Sequence, residues 1–444
     1  MVNQFPLDDF FVHSQQAWSA LPDHRTANPN MKYAISDAVN SAFSVFFMQS
    51  QSFLAHQRTI TKRRKGKKNL QTLFQVENVP SDNQIRNLLD PLSPDQFAPQ
   101  FEWIWENLKP YGILNQYRTE LGTKNIALDG MVYHSSRAIS CCNCSVRRDR
   151  AGQEHYYHAT LLPMVVKPDS NDVLTCFPEM ITPQDGAEKQ DCEQNACKRW
   201  LKKWSHLFQP REITYLGDAL FAKQPICQLI IEQNQYFIFV CKPDSHVTLY
   251  NWLNSLTPET KSTRIWNGSH GEIWEWKWVN DVPLRAGDDA LQVNWCSLTI
   301  RHEESRKTIY HNSWITNHIV NEQRVEAVCR NGRTRWKIEN EGINILKTKG
   351  YNVEHNFGHG KNHLSQVLLV LNLLAFLLHT ALSLVDDLYR FLRGVLHKRT
   401  TFFDDIRALC RYHFFENWQM LWIFMIESLD EANLPSNIAS LIPD

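Results

Sequence analysis

Two aspartates each end an apolar run typical of a strand, and the segments around them limit the fold more than any other feature. Asp129 ends the run that begins at Asn125, and Asp218 ends the run that begins at Ile213. A helical pattern precedes the second run, and a further strand pattern, residues 236–241, follows a helical one. Strands that alternate with helices add in parallel to a sheet. The sequence therefore predicts an α/β fold with both aspartates at the carboxyl edge of the sheet, where ligands bind in such folds.

A third acidic residue, Glu339, lies in a segment whose pattern favours a helix, residues 335–340. Mg²⁺ takes oxygen ligands and needs few carboxylates, so acids from two strands and one helix can converge on it. Two such ions clamp the attacking and leaving oxygens of a phosphoryl displacement. We predict that Asp129, Asp218 and Glu339 are catalytic and bind two Mg²⁺ ions, for which Mn²⁺ can substitute. Taken singly, each acid is more often a turn residue or solvated surface; their joint occurrence favours catalysis.

The three acids and their intervals resemble those of insertion-sequence DDE transposases whose RNase H-like core carries a β-strand insertion before the catalytic glutamate. The two aspartates are 89 positions apart, and the second is 121 positions before Glu339. Arg335 and Glu339 match the Arg-(3)-Glu step of the glutamate helix in this group. Gly332 stands where the group has tyrosine, and Lys347 falls one position later than the group's lysine.

The resemblance spans roughly residues 120–385 and implies both a fold and an activity. The fold is an α/β, RNase H-like mixed sheet with flanking helices and a β-rich insertion. The activity is metal-dependent DNA cleavage and strand transfer, with terminal inverted repeats and target DNA as partners of a homodimer. An RNase H-like nuclease or resolvase without strand transfer, and a catalytically inactive DNA-binding descendant, are the alternatives. Because phosphates must be held beside the active centre, four cations are candidate DNA contacts: Arg333, Arg335, Lys337 and Lys347.

Changes of pattern divide the chain into five segments. Helices are predicted over residues 33–56 and from Ser81 or Asp82, so the first segment is helical and either binds DNA ends or buttresses the core. Strands are predicted over residues 125–131, near Ala138 and over residues 158–166. Helices are predicted over residues 190–206 and 219–233. The segments are a helical N-terminal region (1–120), the first part of the core (121–245), a β-rich insertion (246–310), the second part of the core (311–385) and a helical C-terminal region (386–444).

The predicted insertion is rich in tryptophan. Residues 272–279 and 291–300 alternate apolar and polar side chains, which is the pattern of half-buried strands. An aromatic ring there could stack on an unpaired base, although a tryptophan in a small sheet is more often core. The six tryptophans are Trp252, Trp266, Trp274, Trp276, Trp278 and Trp295.

Cationic side chains cluster locally although the chain has 47 basic and 47 acidic residues and no net charge. Nucleic-acid binding depends on such local patches rather than on the total charge. The densest run is residues 62–68, and smaller groups occupy residues 147–150 and 198–203. A fourth group, residues 324–337, leads to Glu339 and is the one most expected to contact phosphates.

Soft metal ligands form an incomplete pattern. Cys141 and Cys144 make a Cys-x2-Cys pair, but a structural zinc ion needs four ligands and no second close pair is present. Ordinary reduced thiols are therefore favoured over a zinc site. Three evenly spaced histidines, residues 355, 359 and 363, are interrupted by glycines that disfavour a helix, so a polar loop near the DNA is predicted. Further candidate ligands are His155, His158, Cys176, Cys192 and Cys197.

The remaining features predict a cytoplasmic protein without a membrane partner. Eleven cysteines in 444 residues do not form a disulfide framework, and the first residues lack the pattern of a signal peptide. The apolar segment 367–385 approaches the length of a membrane span but is interrupted by Asn372 and His379. A buried central helix packed against the sheet is the prediction for this segment.

Overall fold

The computed structural model describes residues 2–26, 31–183, 191–257, 262–267, 271–429, 435 and 438. Over these residues the protein is a mixed α/β fold with one 11-stranded sheet and flanking helices. The strands are β1 (Lys124–Ser136), β2 (Ser145–Arg148), β3 (Glu154–Val166), β4 (Leu174–Thr175), β5 (Glu179–Ile181), β6 (Ile213–Gly217), β7 (Tyr236–Val240), β8 (Ser262–Asn267), β9 (Glu272–Pro283), β10 (Gln292–His302) and β11 (Thr308–Thr316).

Helices precede, interrupt and follow these strands. Within the described ranges, two π-helical segments, Gln57–Thr61 and Ile338–Ile343, adjoin α-helices, and short 3₁₀ turns cover Pro94–Phe97 and Ser205–Leu207. The α-helices are α1 (Leu7–Ser19), α2 (Ile35–Phe47), α3 (Phe53–His56), α4 (Arg64–Phe74), α5 (Asp82–Leu89), α6 (Ala98–Leu108), α7 (Ile113–Gln116), α8 (Glu193–Trp204), α9 (Gln224–Glu232), α10 (Val247–Ser255), α11 (Val325–Arg333), α12 (Asn344–Thr348), α13 (Leu364–Val385), α14 (Asp387–Val395), α15 (Arg399–Tyr412) and α16 (Trp418–Glu427).

The sheet changes from antiparallel to parallel pairing and back along its width. Its strand order is β2-β3-β1-β6-β7-β11-β10-β9-β8, and β4 and β5 pair with β3. Strands β1, β6 and β7 are mutually parallel, whereas β2 and β3 on one side and β8 to β11 on the other pair antiparallel. The alternating segments predicted as insertion strands are β9 and β10. They extend the main sheet, because β11 pairs with β7 and places Trp314 opposite Val240.

Several predicted boundaries are wrong for identifiable reasons. The strand predicted near Ala138 is absent there, because β1 continues to Ser136 along its long partner β3 and the next strand starts at Ser145. The helix predicted from residue 219 starts at Gln224, after a turn, with Pro225 in its first turn. The helix predicted from residue 190 starts at Glu193, and residue 190 itself is outside the described residues.

The N-terminal region is helical, as predicted, and packs against the C-terminal helices. Ser81 caps α5, its hydroxyl accepting a hydrogen bond from the Gln84 amide at 3.4 Å. The buried Asn69 amide donates to the carbonyls of Cys410 and His413, each at 2.7 Å. Helices α2 and α4 thereby share one core with α13 and α15. The N-terminal helices thus buttress the core, while the cations of residues 62–68 stay exposed on their surface.

The apolar segment is the buried central helix α13. It is long and apolar enough to cross a membrane by composition alone, but 89% of its most apolar window is buried inside the protein. Its neighbours are mainly the helices α2, α5, α6 and α14, with β4 as the contact to the sheet. Within the core the Asn372 amide donates to the Tyr351 carbonyl at 2.8 Å, and His379 Nδ1 is 2.8 Å from the Tyr351 hydroxyl.

Helix α11 packs closely on the sheet through a glycine, which gives a stability prediction. A Cβ atom at Gly332 would lie 2.7 Å from Trp314 Nε1 and 2.9 Å from Ile238 Cγ2, so the tyrosine of the resembled group has no room here. We expect Gly332→Ala to lower the free energy of unfolding by about 1–3 kcal/mol through overpacking. Gly394→Ala, in α14 with nothing within 4 Å of its Cβ position, should raise it by roughly 0.5–1 kcal/mol. Urea unfolding of both variants tests the opposite signs; equal effects would contradict this packing.

Candidate functional site

The register of two parallel strands brings the aspartates together. In the β1–β6 pairing Ala127 lies opposite Leu216, and two residues further along each chain are Asp129 and Asp218. Adjacent strands are about 4.8 Å apart, so the two acids are neighbours at the end of β6. Asp218 directly follows β6, as predicted. Asp129 is not at a strand end, because the pairing with β3 carries β1 on to Ser136.

Glu339 lies on the π-helix Ile338–Ile343, which packs against β1 and β3. The close approach uses Gly342, where a Cβ atom would lie 2.4 Å from the sulfur of Met164 on β3. Burial raises the pKa of Asp129; the guanidinium of Arg335 opposes this rise, and the carboxylates of Asp218 and Glu339 add to it. Asp218 and Glu339 are therefore both close enough to Asp129 to act on its carboxyl electrostatically.

The segment before Glu339 departs from the regular helix that the sequence predicts. Helix α11 ends at Arg333, a turn covers residues 334–335, and Glu339 follows in the π-helix. Arg335 therefore does not lie one regular helical turn before Glu339. Its side chain instead reaches β1, where Arg335 Nη1 donates to Asp129 Oδ2 at 3.2 Å. This ion pair places a cation directly beside the carboxylates.

A fourth acid at the site, Glu193, was not predicted from the sequence. It lies in the first turn of α8, and burial raises the pKa of its carboxyl, with further increases from Asp129 and Asp218. Its side chain occupies the space beside Gly130, where a Cβ atom would lie 2.1 Å from Glu193 Oε1. Gly130 thus leaves room for the Glu193 carboxylate. This role differs from the turn that an Asp-Gly pair suggests in sequence.

The four cations that were predicted to contact DNA have different neighbours. Arg335 pairs with Asp129, a carboxylate of the site, and the other three have the contacts that follow. The Arg333 guanidinium lies 4.5 Å from the Tyr310 ring centroid. Lys337 is buried and donates to Asn171 Oδ1 at 3.1 Å. Lys347 forms an ion pair with Glu354 at 2.8 Å. Each of these cations therefore already has a contact within the protein.

Asp129, Asp218, Glu339 and Glu193 make up a carboxylate cluster at the end of β6. Burial is the main cause of the raised pKa values of Asp129 and Glu193, and repulsion between the neighbouring carboxylates adds to it. A divalent cation would remove this repulsion, and carboxylate oxygens are the ligands that Mg²⁺ prefers. The donor chemistry of these side chains suits a hard divalent metal, although among the described residues no three of these acids have oxygens that all lie within 4.8 Å of one another.

The tryptophans of the predicted insertion divide into core and surface. Trp276, Trp278 and Trp295 are at most 8% exposed and are core residues. Trp266 on β8 is 48% exposed, and its ring packs edge-on against Trp274 with centroids 5.9 Å apart. Among the six tryptophans named above, Trp266 is the most exposed.

Some of the predicted soft metal ligands lie close together in space. Certain pairs of them are 201 positions or more apart in the chain. His359 lies outside any helix, as predicted, but its side chain is buried and faces cysteines and a histidine rather than the solvent. The other candidates, including His155, Cys176, Cys192 and Cys197, lie outside the group. We call the converging residues the Cys/His cluster: Cys141, Cys144, His158 and His359.

Comparison with models of known protein families finds no match to the chain, and neither does comparison with curated proteins. The fold and the site therefore define the class of the protein by themselves. It is a mixed α/β protein in which two parallel strands and two helical segments bring four acidic residues together, with an arginine paired to one of them.

Proposed function

We propose that the protein is a DDE transposase, which cleaves DNA and transfers strands in a metal-dependent reaction. One observation carries the proposal: the β1–β6 register makes Asp129 and Asp218 neighbours, and the charge of Glu339 reaches Asp129. The residues in this position are those that the resemblance assigns to catalysis. A surface acid or a turn residue has no need of such convergence.

The order of the strands supports an RNase H-like core. Antiparallel strands come first, with β3 beside β1 and the short β4 and β5 on the far side of β3. Strands β6 and β7 then add in parallel on the other side of β1, with α9 between them in the chain. Strands β8 to β11 precede the glutamate segment, which is where the resembled group has its insertion.

The residues of the site have distinct tasks in the proposed reaction. Bound Mg²⁺ would activate water, or later a 3′-OH, and stabilise the leaving oxygen. Asp129 and Asp218 would hold the metal ions from adjacent strands, and Glu339 would complete the ligands from the π-helix. Arg335, already beside Asp129, would keep that carboxyl ionised and hold a phosphate near the scissile bond. Glu193 would add a fourth oxygen ligand or accept a proton at the same edge.

Two other functions use the same residues differently. A nuclease or resolvase would hydrolyse DNA and join nothing, and the large extension formed by β8 to β11 counts against it. A DNA-binding descendant without activity would tolerate loss of the acids, and their convergence counts against it.

One experiment distinguishes the transposase, the nuclease and the inactive descendant: DNA flanked by the terminal inverted repeats of the gene is incubated with the protein, Mg²⁺ and a target plasmid. We expect cleavage at the repeat ends followed by joined products; cleavage without joining would indicate the nuclease, and binding alone the inactive descendant.

The ion pair of Arg335 with Asp129 predicts the pH dependence of activity. Burial raises the pKa of Asp129, and the charge of Arg335 holds it down, so Arg335→Gln should raise this pKa further. Because a protonated carboxyl is a poor metal ligand, the acid limb of the cleavage rate should move to higher pH. Arg335→Lys keeps the charge and should leave the limb near its original position. Rate profiles measured with saturating DNA test this; an unmoved acid limb in Arg335→Gln would contradict the assigned contact.

A further inference from the structure

We propose that the Cys/His cluster binds one structural zinc ion, at a site separate from the carboxylate cluster. The four donor atoms lie within 4.8 Å of one another. They come from three places in the chain: the loop between β1 and β2, the strand β3, and the segment between α12 and α13. The sequence displays only the Cys-x2-Cys half of this arrangement.

The distances between the donor atoms match a zinc tetrahedron. With Zn–S bonds of about 2.3 Å and Zn–N bonds of about 2.0 Å, the ligands stand about 3.8 Å apart for two sulfurs, about 3.5 Å for sulfur and nitrogen and about 3.3 Å for two nitrogens. The observed separation of Cys141 Sγ and Cys144 Sγ is 3.9 Å. His158 Nε2 is 3.5 Å from both sulfurs. His359 Nε2 is 3.4 Å from Cys144 Sγ and 3.1 Å from His158 Nε2.

The surroundings of the cluster also suit a metal. Cys144, His158 and His359 are each at most 8% exposed, so water has little access to them. His359 Nδ1 lies 3.1 Å from the Gly360 carbonyl, which favours the tautomer with hydrogen on Nδ1 and leaves Nε2 free to bind. A disulfide does not explain the cysteines, because sulfurs joined by one are about 2.05 Å apart.

A zinc ion here would connect parts of the site that are distant in sequence. His158 lies on β3, opposite His134 of β1, five positions beyond Asp129. His359 lies 20 positions after Glu339. The ion would join the first hairpin of the sheet to the chain that follows the glutamate segment. The ion would fix the position of β1, which carries Asp129, relative to the segment that carries Glu339. It would contact neither acid.

Metal analysis of the whole protein, purified without chelators from cells grown with zinc, tests the proposal. We expect about one zinc ion per chain, as a site with four protein ligands predicts. Cys144→Ser and His359→Asn should lose it. Two control variants should retain the zinc ion. Cys142→Ser changes the exposed thiol between the two cysteine ligands, and His355→Asn changes an exposed histidine nearby.

Cobalt substitution keeps the test decisive if a ligand variant fails to fold. The unaltered protein exchanged with Co²⁺ should develop the visible bands of tetrahedral cobalt and a sulfur-to-cobalt charge-transfer band in the near ultraviolet. Absence of both zinc and these bands from the unaltered protein would overturn the proposal. So would full zinc content in a Cys144→Ser, His359→Asn double variant. Neither readout involves DNA cleavage, so failure of the zinc site and failure of the proposed transposase activity remain distinguishable.

Discussion

Asp218→Asn should lower the rate of Mg²⁺-dependent strand cleavage by at least about a thousandfold, since bound metal stabilises transition-state charge by several kcal/mol and ~1.4 kcal/mol is tenfold in rate. Asparagine is nearly the same size and keeps an oxygen acceptor. The Leu220 amide, which donates to Asp218 Oδ1 at 2.8 Å, therefore retains its partner. A simple turn residue would tolerate this change, whereas a metal ligand would not. Rates on DNA carrying the terminal repeats measure the difference, and Asp129→Asn and Glu339→Gln should behave alike.

The matched control for these variants is Asp288→Asn, which removes an exposed carboxylate outside the site. Its cleavage rate should equal that of the unaltered protein. Thermal unfolding of each variant establishes that the fold is intact, because a misfolded protein would also be inactive. Cleavage by Asp218→Asn within about tenfold of the unaltered rate would remove this aspartate from the catalytic group.

Neutralising the basic run at the start of α4 should weaken DNA binding by about a hundredfold or more at low salt. All six cations of residues 62–68 are exposed. Arg63 lies over the Tyr412 ring and Lys68 over the Phe414 ring, so these two contribute to packing. The variant to test changes the other four to alanine: Lys62, Arg64, Lys65 and Lys67. Removal of one phosphate-binding cation should reduce the slope of log K against log salt concentration by about 0.9.

Salt titrations of binding, followed by fluorescence anisotropy, give both the affinity and the slope. The control changes four exposed cations outside the basic groups named above: Lys32, Lys242, Arg306 and Lys307. It lowers the net charge equally, so a local phosphate contact and a general charge effect give different results. An equal decrease in affinity for the two variants would mean that the run on α4 is ordinary solvated surface. Unchanged affinity in the first variant would mean the same.

The sequence predicts the two strands that carry the aspartates and the later segment that carries Glu339, because apolar runs and intervals are local properties. The strand partners are set by tertiary pairing, which is why Asp129 was expected at a strand end and lies within β1. The π-helix at Glu339 was likewise not predicted. The contact of Gly342 with Met164, which accompanies this π-helix, becomes visible only in the packed structure.

Glu193 and His359 were missed as functional residues for different reasons. An acid in the first turn of a helix is common because it interacts favourably with the helix dipole, so Glu193 looks ordinary in sequence. His359 contacts cysteines more than 200 positions earlier in the chain, and no local sequence spacing predicts a contact over that distance. The glycines on either side of it suggested a loop, and the chain there is indeed outside any helix. The sequence did not show that this loop packs against Cys144 and His158.

The most direct test of the central claim, that the carboxylates converge on metal, is to exchange one ligand and follow the metal requirement. Carboxylates suit both Mg²⁺ and Mn²⁺, but Mn²⁺, a transition-metal ion, accepts a thiolate ligand more readily than Mg²⁺ does. Asp218→Cys should therefore cleave terminal-repeat DNA with Mn²⁺ present and be inactive with Mg²⁺, while the unaltered protein is active with either. Mg²⁺-dependent cleavage by Asp218→Cys at the unaltered rate would contradict the account, because a residue that binds the catalytic ion cannot lose its oxygen ligands without consequence.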